Sequence, residues 1–150
     1  MKLAEALIIK ADIAKKYQSL KSRLAANVLI QEGNSPAEDP ERLHAEAVAV
    51  LGELENLKGS IDIANARPQA DGRSLNTLLA QRDTLTLRVK LLQDTLAATQ
   101  KEPERYSVRE IKWVATIPVA KLQKQQDDLS KQLRELNIRI QELNWKLDLD

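Results

Sequence analysis

Residues 119–148, VAKLQKQQDDLSKQLRELNIRIQELNWKLD, carry the clearest periodic pattern in the chain. One row of apolar residues recurs every seven positions, at Leu122, Leu129, Leu136 and Leu143. The second row has one polar member, Gln126, ahead of Leu133, Ile140 and Leu147. Apolar residues that are alternately three and four apart are typical of a helix that packs along one seam. The stretch therefore predicts a long helix over about 119–148.

Three earlier segments repeat this heptad pattern and predict helices over about 2–29, 40–66 and 75–99. Their apolar rows are, in order, Leu3, Tyr17 and Leu24 with Ala6, Ile13 and Leu20; Leu43, Val50, Leu57 and Ala64 with Ala47, Leu54 and Ile61; and Leu75, Val89 and Leu96 with Leu78, Leu85 and Leu92. Asp39 as a cap and Pro40 as a first-turn residue mark the start of the second helix. Because short links favour antiparallel neighbours, the sequence predicts an all-α fold in a single domain over 1–150. Its four long antiparallel helices would form a bundle or helical hairpins.

Two stretches interrupt the helical pattern. Residues 31–39, QEGNSPAED, are a loop by composition. Several β-branched residues predict a short strand-like segment near 108–117. Ser107 and Glu110 give a competing signal, because they fit a helix-capping box. A strand here needs a partner, which would be residues 27–32 of the same chain or an identical segment of a neighbouring subunit.

Charge is balanced over the whole chain but not along it. There are 23 Lys and Arg against 22 Asp and Glu, whereas a dedicated nucleic-acid binder usually shows a large basic excess. Residues 1–30 hold six basic and two acidic side chains, and residues 31–62 hold two basic and eight acidic ones. This difference favours antiparallel pairing of the first two helices. The alternative is weak nucleic-acid binding through a basic strip formed by Lys10, Lys15, Lys16, Lys21 and Arg23.

The residue types that most catalytic and metal sites need are scarce. The chain has no cysteine and one histidine, His44, which excludes disulfides, cysteine nucleophiles and sites with several imidazoles. It contains no Gly-rich phosphate loop and no nucleophile elbow. A group of carboxylates near the loop is interpreted as solvated and helix-capping rather than metal-binding: Glu32, Glu38, Asp39 and Glu41. We therefore expect a protein without enzymatic activity, metal or cofactor.

The hydropathy of the chain argues against a membrane-spanning segment. No apolar run approaches the roughly 20 residues that a spanning helix needs. The N-terminal segment contains Glu5 and therefore lacks the uncharged core of a signal peptide. The expected location is the cytoplasm.

Apolar residues outside the seams indicate a second contact face. Ile138 and Trp145 lie seven residues apart, away from the main stripe of the last helix. With Trp113, they are candidate contacts in a homo-oligomer, or a docking site for another protein. The polar seam residues Arg82 and Gln126 are a candidate pair for setting the register between helices. Further apolar positions widen the surface of the third helix: Leu79, Leu87 and Leu91.

A series of short sequence motifs is spread over almost the whole chain. They are MKLAEALI at 1–8, QEGNSPAEDP at 31–40, IDIANA at 61–66, DGRSL at 71–75, QRD at 81–83, YSVREIKWV at 106–114 and LQKQQDDLSKQLRELNIRIQELNW at 122–145. In this combination the chain resembles the septicolysin-like family of small bacterial proteins, also described as a domain of unknown function.

The resemblance implies an all-helical, oligomeric bacterial protein with no established activity, and it supplies no catalytic or binding residue. The family name suggests a membrane-active, cytolysin-like protein as a further alternative. Long amphipathic helices can rearrange in membranes, but thiol-activated lysins depend on a cysteine. The favoured hypothesis is therefore a non-enzymatic helical protein that self-associates.

Overall fold

The computed structural model describes residues 1–100 and 111–149. These residues form four α-helices, namely α1 (Leu3–Asn27), α2 (Pro40–Ala66), α3 (Leu75–Ala98) and α4 (Val119–Lys146). The described residues contain no β-sheet, only two isolated antiparallel bridges, Lys2 with Asp148 and Pro68 with Ser74. The predicted all-α fold with four long helices is confirmed.

The helix ends lie within two residues of those that the sequence pattern indicates. α2 begins at Pro40. Asp39 caps this helix, because its carboxylate accepts a hydrogen bond from the Glu41 backbone N–H at 3.1 Å. α1 ends at Asn27, where the predicted helix ran to 29. Val28 and Leu29 continue into the loop and are exposed, so no packing extends the helix over them.

The structure corrects the strand-like segment predicted near 108–117. Residues 111–117 contain no strand, and the remaining three lie outside the described residues. The expected partner in the same chain, residues 27–32, includes the end of α1 and an exposed loop. A β-branched run becomes a strand only where neighbouring strands and packing support it. Here three of its side chains are largely exposed, namely Ile111, Trp113 and Val114.

The chain divides into two compact units. The first contains Met1–Ser74 and the C-terminal residues from Gln141 onward, and the second is Leu75–Ile140. α1, α2 and the last turns of α4 thus belong to the first unit, whereas α3 and most of α4 belong to the second. The single domain over 1–150 stays a prediction.

α1 and α2 pack as an antiparallel hairpin within the first unit. Their core contains Leu20 of α1 with Leu43, Ala47 and Val50 of α2, and Ile13, Tyr17 and Leu24 pack against it. Along the same interface, Lys16 pairs with Glu46 at 3.7 Å, and Arg23 pairs with Glu38, just before α2. Numbers that rise along α1 therefore meet numbers that fall along α2, in agreement with the opposite charges of the two segments.

The two ends of the chain are hydrogen-bonded to each other in the first unit. The Leu3 N–H donates to the Leu147 carbonyl at 2.9 Å, and the Leu149 N–H donates to the Met1 carbonyl at 3.1 Å. Lys2 adds an ion pair with Asp148 at 2.9 Å. These contacts end α4 at Lys146, because the backbone beyond it pairs with the N-terminus instead of continuing the helix.

Polar contacts tie the end of α1 to the loop before α2. Asn27, which is 9% exposed, donates to the Arg23 carbonyl at 2.8 Å and accepts from the Glu38 N–H at 3.1 Å. The Glu38 carboxylate lies between Arg23 and Arg42. Hydrogen bonding from Arg23 holds the pKa of Glu38 below its ordinary value of 4.5, and the nearby positive charges act in the same direction.

Glu38→Gln is expected to flatten the acid dependence of thermal stability. A carboxylate whose pKa is lowered by folding stabilises the native state above its unfolded pKa, and this contribution is lost as the pH falls through the folded value. The wild type should therefore lose more of its melting temperature on acidification than the variant does. Glu32→Gln in the same loop is the control. Equal flattening by the two variants would contradict this role for Glu38.

Candidate interaction surface

α3 and α4 form an antiparallel pair within the second unit. An open groove runs between the two helices. Thr84 of α3 and Gln132 of α4 line one section of it, and Leu91 of α3 and Gln125 of α4 line the next section. Numbers that rise along α3 thus meet numbers that fall along α4. Within the second unit, the two helices are therefore antiparallel, as the sequence predicts.

The seam of this pair is covered unevenly. On α3 the first four apolar seam residues are buried, at 1–8% exposed, and they are Leu75, Leu78, Leu85 and Val89. Leu92 and Leu96, later in the same seam, are half-buried. On α4 the seam residues ahead of Ile140 are also only half-buried: Leu122, Gln126, Leu129, Leu133 and Leu136. The periodic apolar rows are therefore real, but one partner helix leaves part of them open to solvent.

The groove is lined by leucines and polar side chains, with one cation and one anion among them. Arg88 lies where its two sections meet, and Asp128 lies on the α4 wall. The rest of the section that contains Asp128 is lined by Leu91, Leu92, Gln125 and Leu129. Leu91 is 66% exposed, and Leu87, one turn before it, is 67% exposed. Exposed leucines beside an apolar groove are the kind of surface that another protein surface covers.

The predicted contact residues Ile138, in the second unit, and Trp145, in the first, are both exposed side chains of α4. They are 54% and 56% exposed, respectively, and Trp113 is 69% exposed. Trp113 precedes α4 and is separate from the groove lining. The structure thus places all three at the surface, as a subunit contact requires, without bringing them into the groove.

Arg82 and Gln126, the polar seam residues, are not brought together. The Arg82 guanidinium donates to the carboxylate of its neighbour Asp83 at 2.9 and 3.0 Å. Gln126 lies next to Gln125, in the part of α4 that meets Leu91 and Leu92 of α3. The antiparallel register therefore sets Arg82 well apart from Gln126, since Arg82 is near the other end of the groove. A role in fixing helix register stays a prediction for each residue separately.

Two of the five residues of the basic strip on α1 pair with acidic groups of the first unit. Lys16 meets Glu46, and Arg23 meets Glu38. Lys10 lines a second, shallower groove with Lys58 of α2, where the remaining walls are Leu7, Ala11, Ala14 and Leu54. Charge complementarity between α1 and α2 thus explains part of the strip. Nucleic-acid binding stays an untested hypothesis.

The described residues hold neither a cluster of metal-ligating side chains nor a membrane-spanning helix. Within residues 1–100 and 111–149, no three His, Cys, Asp or Glu side chains are grouped so that they could hold a metal ion. Among these same residues, no helix is both long and apolar enough to cross a membrane. Two of the loop carboxylates have structural partners instead, because Glu38 pairs with Arg23 and Asp39 caps α2.

The model of a family of unknown function, DUF6847, matches residues 10–149. The chain belongs to this family. The matched range includes α2, α3 and α4 and most of α1, so all residues that line the α3–α4 groove of this chain lie inside it. The description of the family names no activity.

A solved structure shares the fold of this DUF6847 chain. It is the crystal structure of a functionally unknown conserved protein from Corynebacterium diphtheriae, which is 32% identical, with a TM-score of 0.89. The similarity covers 97% of this chain and 96% of that one. The comparison with curated proteins gives no match. These comparisons support the helical architecture of this chain and name no activity for it.

The resemblance to the septicolysin-like family is wrong, because the family model that matches is DUF6847. The longest motif on which the resemblance rested, residues 122–145, is a heptad pattern that any helix packing along one seam shares. The motifs in the loops are too short to identify one family by themselves. The cytolysin-like alternative depended on the family name and is dropped with it.

Proposed function

We propose that this DUF6847 member is a non-enzymatic helical protein that self-associates, with the α3–α4 groove as an association surface. The observation that carries the proposal is that Leu91, which lines the groove, and Leu87, one turn before it on α3, are both two-thirds open to solvent. Full burial of a leucine side chain contributes about 1.5–3 kcal/mol. Covering this pair therefore gives a second copy a sizeable driving force.

The half-buried seam supports the same proposal. Bundles of four helices bury their seam residues because each helix has two neighbours. In the second unit α3 and α4 cover each other from one side, and Leu92 and Leu129 stay half-exposed beside the groove. A second α3–α4 pair laid on the groove would complete such a core.

The outer surface of α4 supports a further contact in the same assembly. Ile138 and Trp145 are more than half exposed there, and tryptophan is among the residues enriched in the buried centres of protein interfaces. With Trp113, they remain candidate subunit contacts that act in addition to the groove.

Leu87→Lys combined with Leu91→Lys is expected to dissociate the assembly without unfolding the chain. Light scattering of the wild type should give at least twice the chain mass of 16.9 kDa, and the variant should shift toward the single-chain mass. Two lost leucine contacts and two added charges should weaken association by roughly 100-fold or more.

Ile8→Lys with Ile9→Lys is the matched control, because these α1 residues are 55% and 40% exposed and lie outside the groove. The control should keep the mass of the wild type. A wild type that weighs 16.9 kDa at all concentrations would refute self-association.

A further inference from the structure

A matching stripe of side chains borders the groove on each helix. The α3 stripe is Gln81, Thr84, Arg88 and Leu91, and the α4 stripe, read backward, is Gln132, Asp128 and Gln125. Successive members are three or four residues apart, so each stripe lies along one face of its helix. Each helix therefore presents a mainly polar face to the groove, with Leu91 as its one large apolar member.

The charges on these stripes distinguish two ways of stacking a second copy on the groove. If the two-fold axis crossed the helices, α3 would lie on α3 and α4 on α4. With the axis at the height of Arg88 and Asp128, Arg88 would approach Arg88 of the other copy, and Asp128 would approach Asp128. Like charges placed together at an interface cost several kcal/mol and suppress that arrangement.

We propose that two copies associate about a two-fold axis parallel to the helices, so that α3 of each copy lies antiparallel on α4 of the other. This inference rests on the proposed self-association and specifies its geometry. Arg88 then meets Asp128 of the second copy, and Leu91 meets Gln125. Symmetry forms each contact twice, because a two-fold interface uses the same surface on both subunits.

The register within the chain is compatible with this arrangement. Arg88 and Asp128 border the same section of the groove, so they lie at similar heights along the helix pair. A rotation about the helix direction preserves those heights and exchanges the two sides, which brings the cation of one copy over the anion of the other. Within residues 1–100 and 111–149, neither Arg88 nor Asp128 forms an ion pair in a single copy.

The arrangement also suits the helix backbones. All four neighbouring helix pairs in the assembly are antiparallel, so the positive end of each helix lies beside the negative end of its neighbours. The half-buried Leu92 and Leu129 turn from groove walls into the centre of a four-helix core. The resulting occupant of the groove is a second copy of this chain.

Charge reversal tests the Arg88–Asp128 contact between copies. Arg88→Asp alone and Asp128→Arg alone should each weaken self-association by about 100-fold, since each variant sets like charges together twice. Mixing the two variants should restore a heterodimer, because both contacts then join opposite charges. The double variant, carrying Arg88→Asp and Asp128→Arg in one chain, should also self-associate like the wild type. Arg134→Asp, outside the groove lining, is the control and should not change association.

Disulfide trapping tests the direction of stacking, and the chain has no native cysteine to interfere. A disulfide requires Cα atoms within about 7 Å. A mixture of Leu91→Cys chains and Gln125→Cys chains should form a cross-linked heterodimer, whereas neither variant alone should cross-link to itself. Cross-linking of Leu91→Cys alone would instead show α3 lying on α3 and would overturn the proposed geometry.

The two proposals fail separately. Single-chain mass for the wild type refutes self-association itself. A wild type that assembles while the mixed cysteine variants stay uncross-linked, or while the charge-reversed pair fails to recombine, refutes the α3-on-α4 geometry alone. Melting curves of every variant confirm that a loss of association is not a loss of folding.

Discussion

Leu20→Ala is expected to lower the free energy of unfolding by about 2–5 kcal/mol, the range for large-to-small changes in a packed core. Leu20 is 1% exposed and packs with Leu43, Ala47 and Val50 across the α1–α2 hairpin. Alanine is the better helix former, so the loss must come from packing and from the cavity that the change leaves. Urea denaturation should show a lower midpoint with little change in slope, because the surface exposed on unfolding is nearly the same.

Leu29→Ala is the matched control, since it makes the same chemical change at a residue that is 88% exposed. Surface substitutions away from special features usually stay within about 0.5 kcal/mol. Both variants are compared at one protein concentration, because association adds to apparent stability. A loss at Leu29 as large as that at Leu20 would show that the hairpin core is not where the seam places it.

The seam residues illustrate what periodicity could predict. Leu20, Leu43 and Leu85 were assigned to apolar rows by spacing alone, and each is buried in the structure. A heptad pattern over 25 residues repeats its signal several times, so a single polar interruption such as Arg82 does not obscure it. Opposite charges on the first two segments added the antiparallel direction of that hairpin.

The strand near 108–117 shows where local preference was not enough. Its β-branched residues favour a strand only in a suitable setting, because strand stability comes from packing and pairing with neighbours. Over 111–117 the structure supplies no such partner. Sequence spacing contains no information on whether a distant segment is close enough to pair.

The groove was missed for a different reason. Arg88, Gln125 and Asp128 read as ordinary solvated side chains when each helix is considered alone. They become one surface only after the register of α3 against α4 is known, and that register is a property of two segments together. The sequence holds no clear signal for this surface, because its residues outside the two seams are polar apart from Ala80 and Leu91.

Leu143→Ala is expected to destabilise the folded chain, whereas Trp145→Ala is expected to weaken association. The two residues are only two positions apart in the last turn of α4. Leu143 is 3% exposed. Its carbonyl accepts a hydrogen bond from the Leu147 N–H at 2.9 Å, and the Leu147 carbonyl in turn accepts one from the Leu3 N–H. Its truncation should lower the free energy of unfolding by about 2–5 kcal/mol, because the cavity opens where the two chain ends are joined.

Trp145→Ala should change the free energy of unfolding by less than about 1 kcal/mol, because the indole is more than half exposed. If the outer surface of α4 is a subunit contact, loss of the indole should raise the concentration at which the assembly forms by about tenfold or more, since tryptophan is a common interface anchor. Urea denaturation followed by circular dichroism measures the first effect, and light scattering over a dilution series measures the second. Unchanged assembly in Trp145→Ala would remove this surface from the interface and leave the α3–α4 groove as the proposed contact. Equal destabilisation by both variants would mean instead that the indole supports the folded chain, contrary to its exposure.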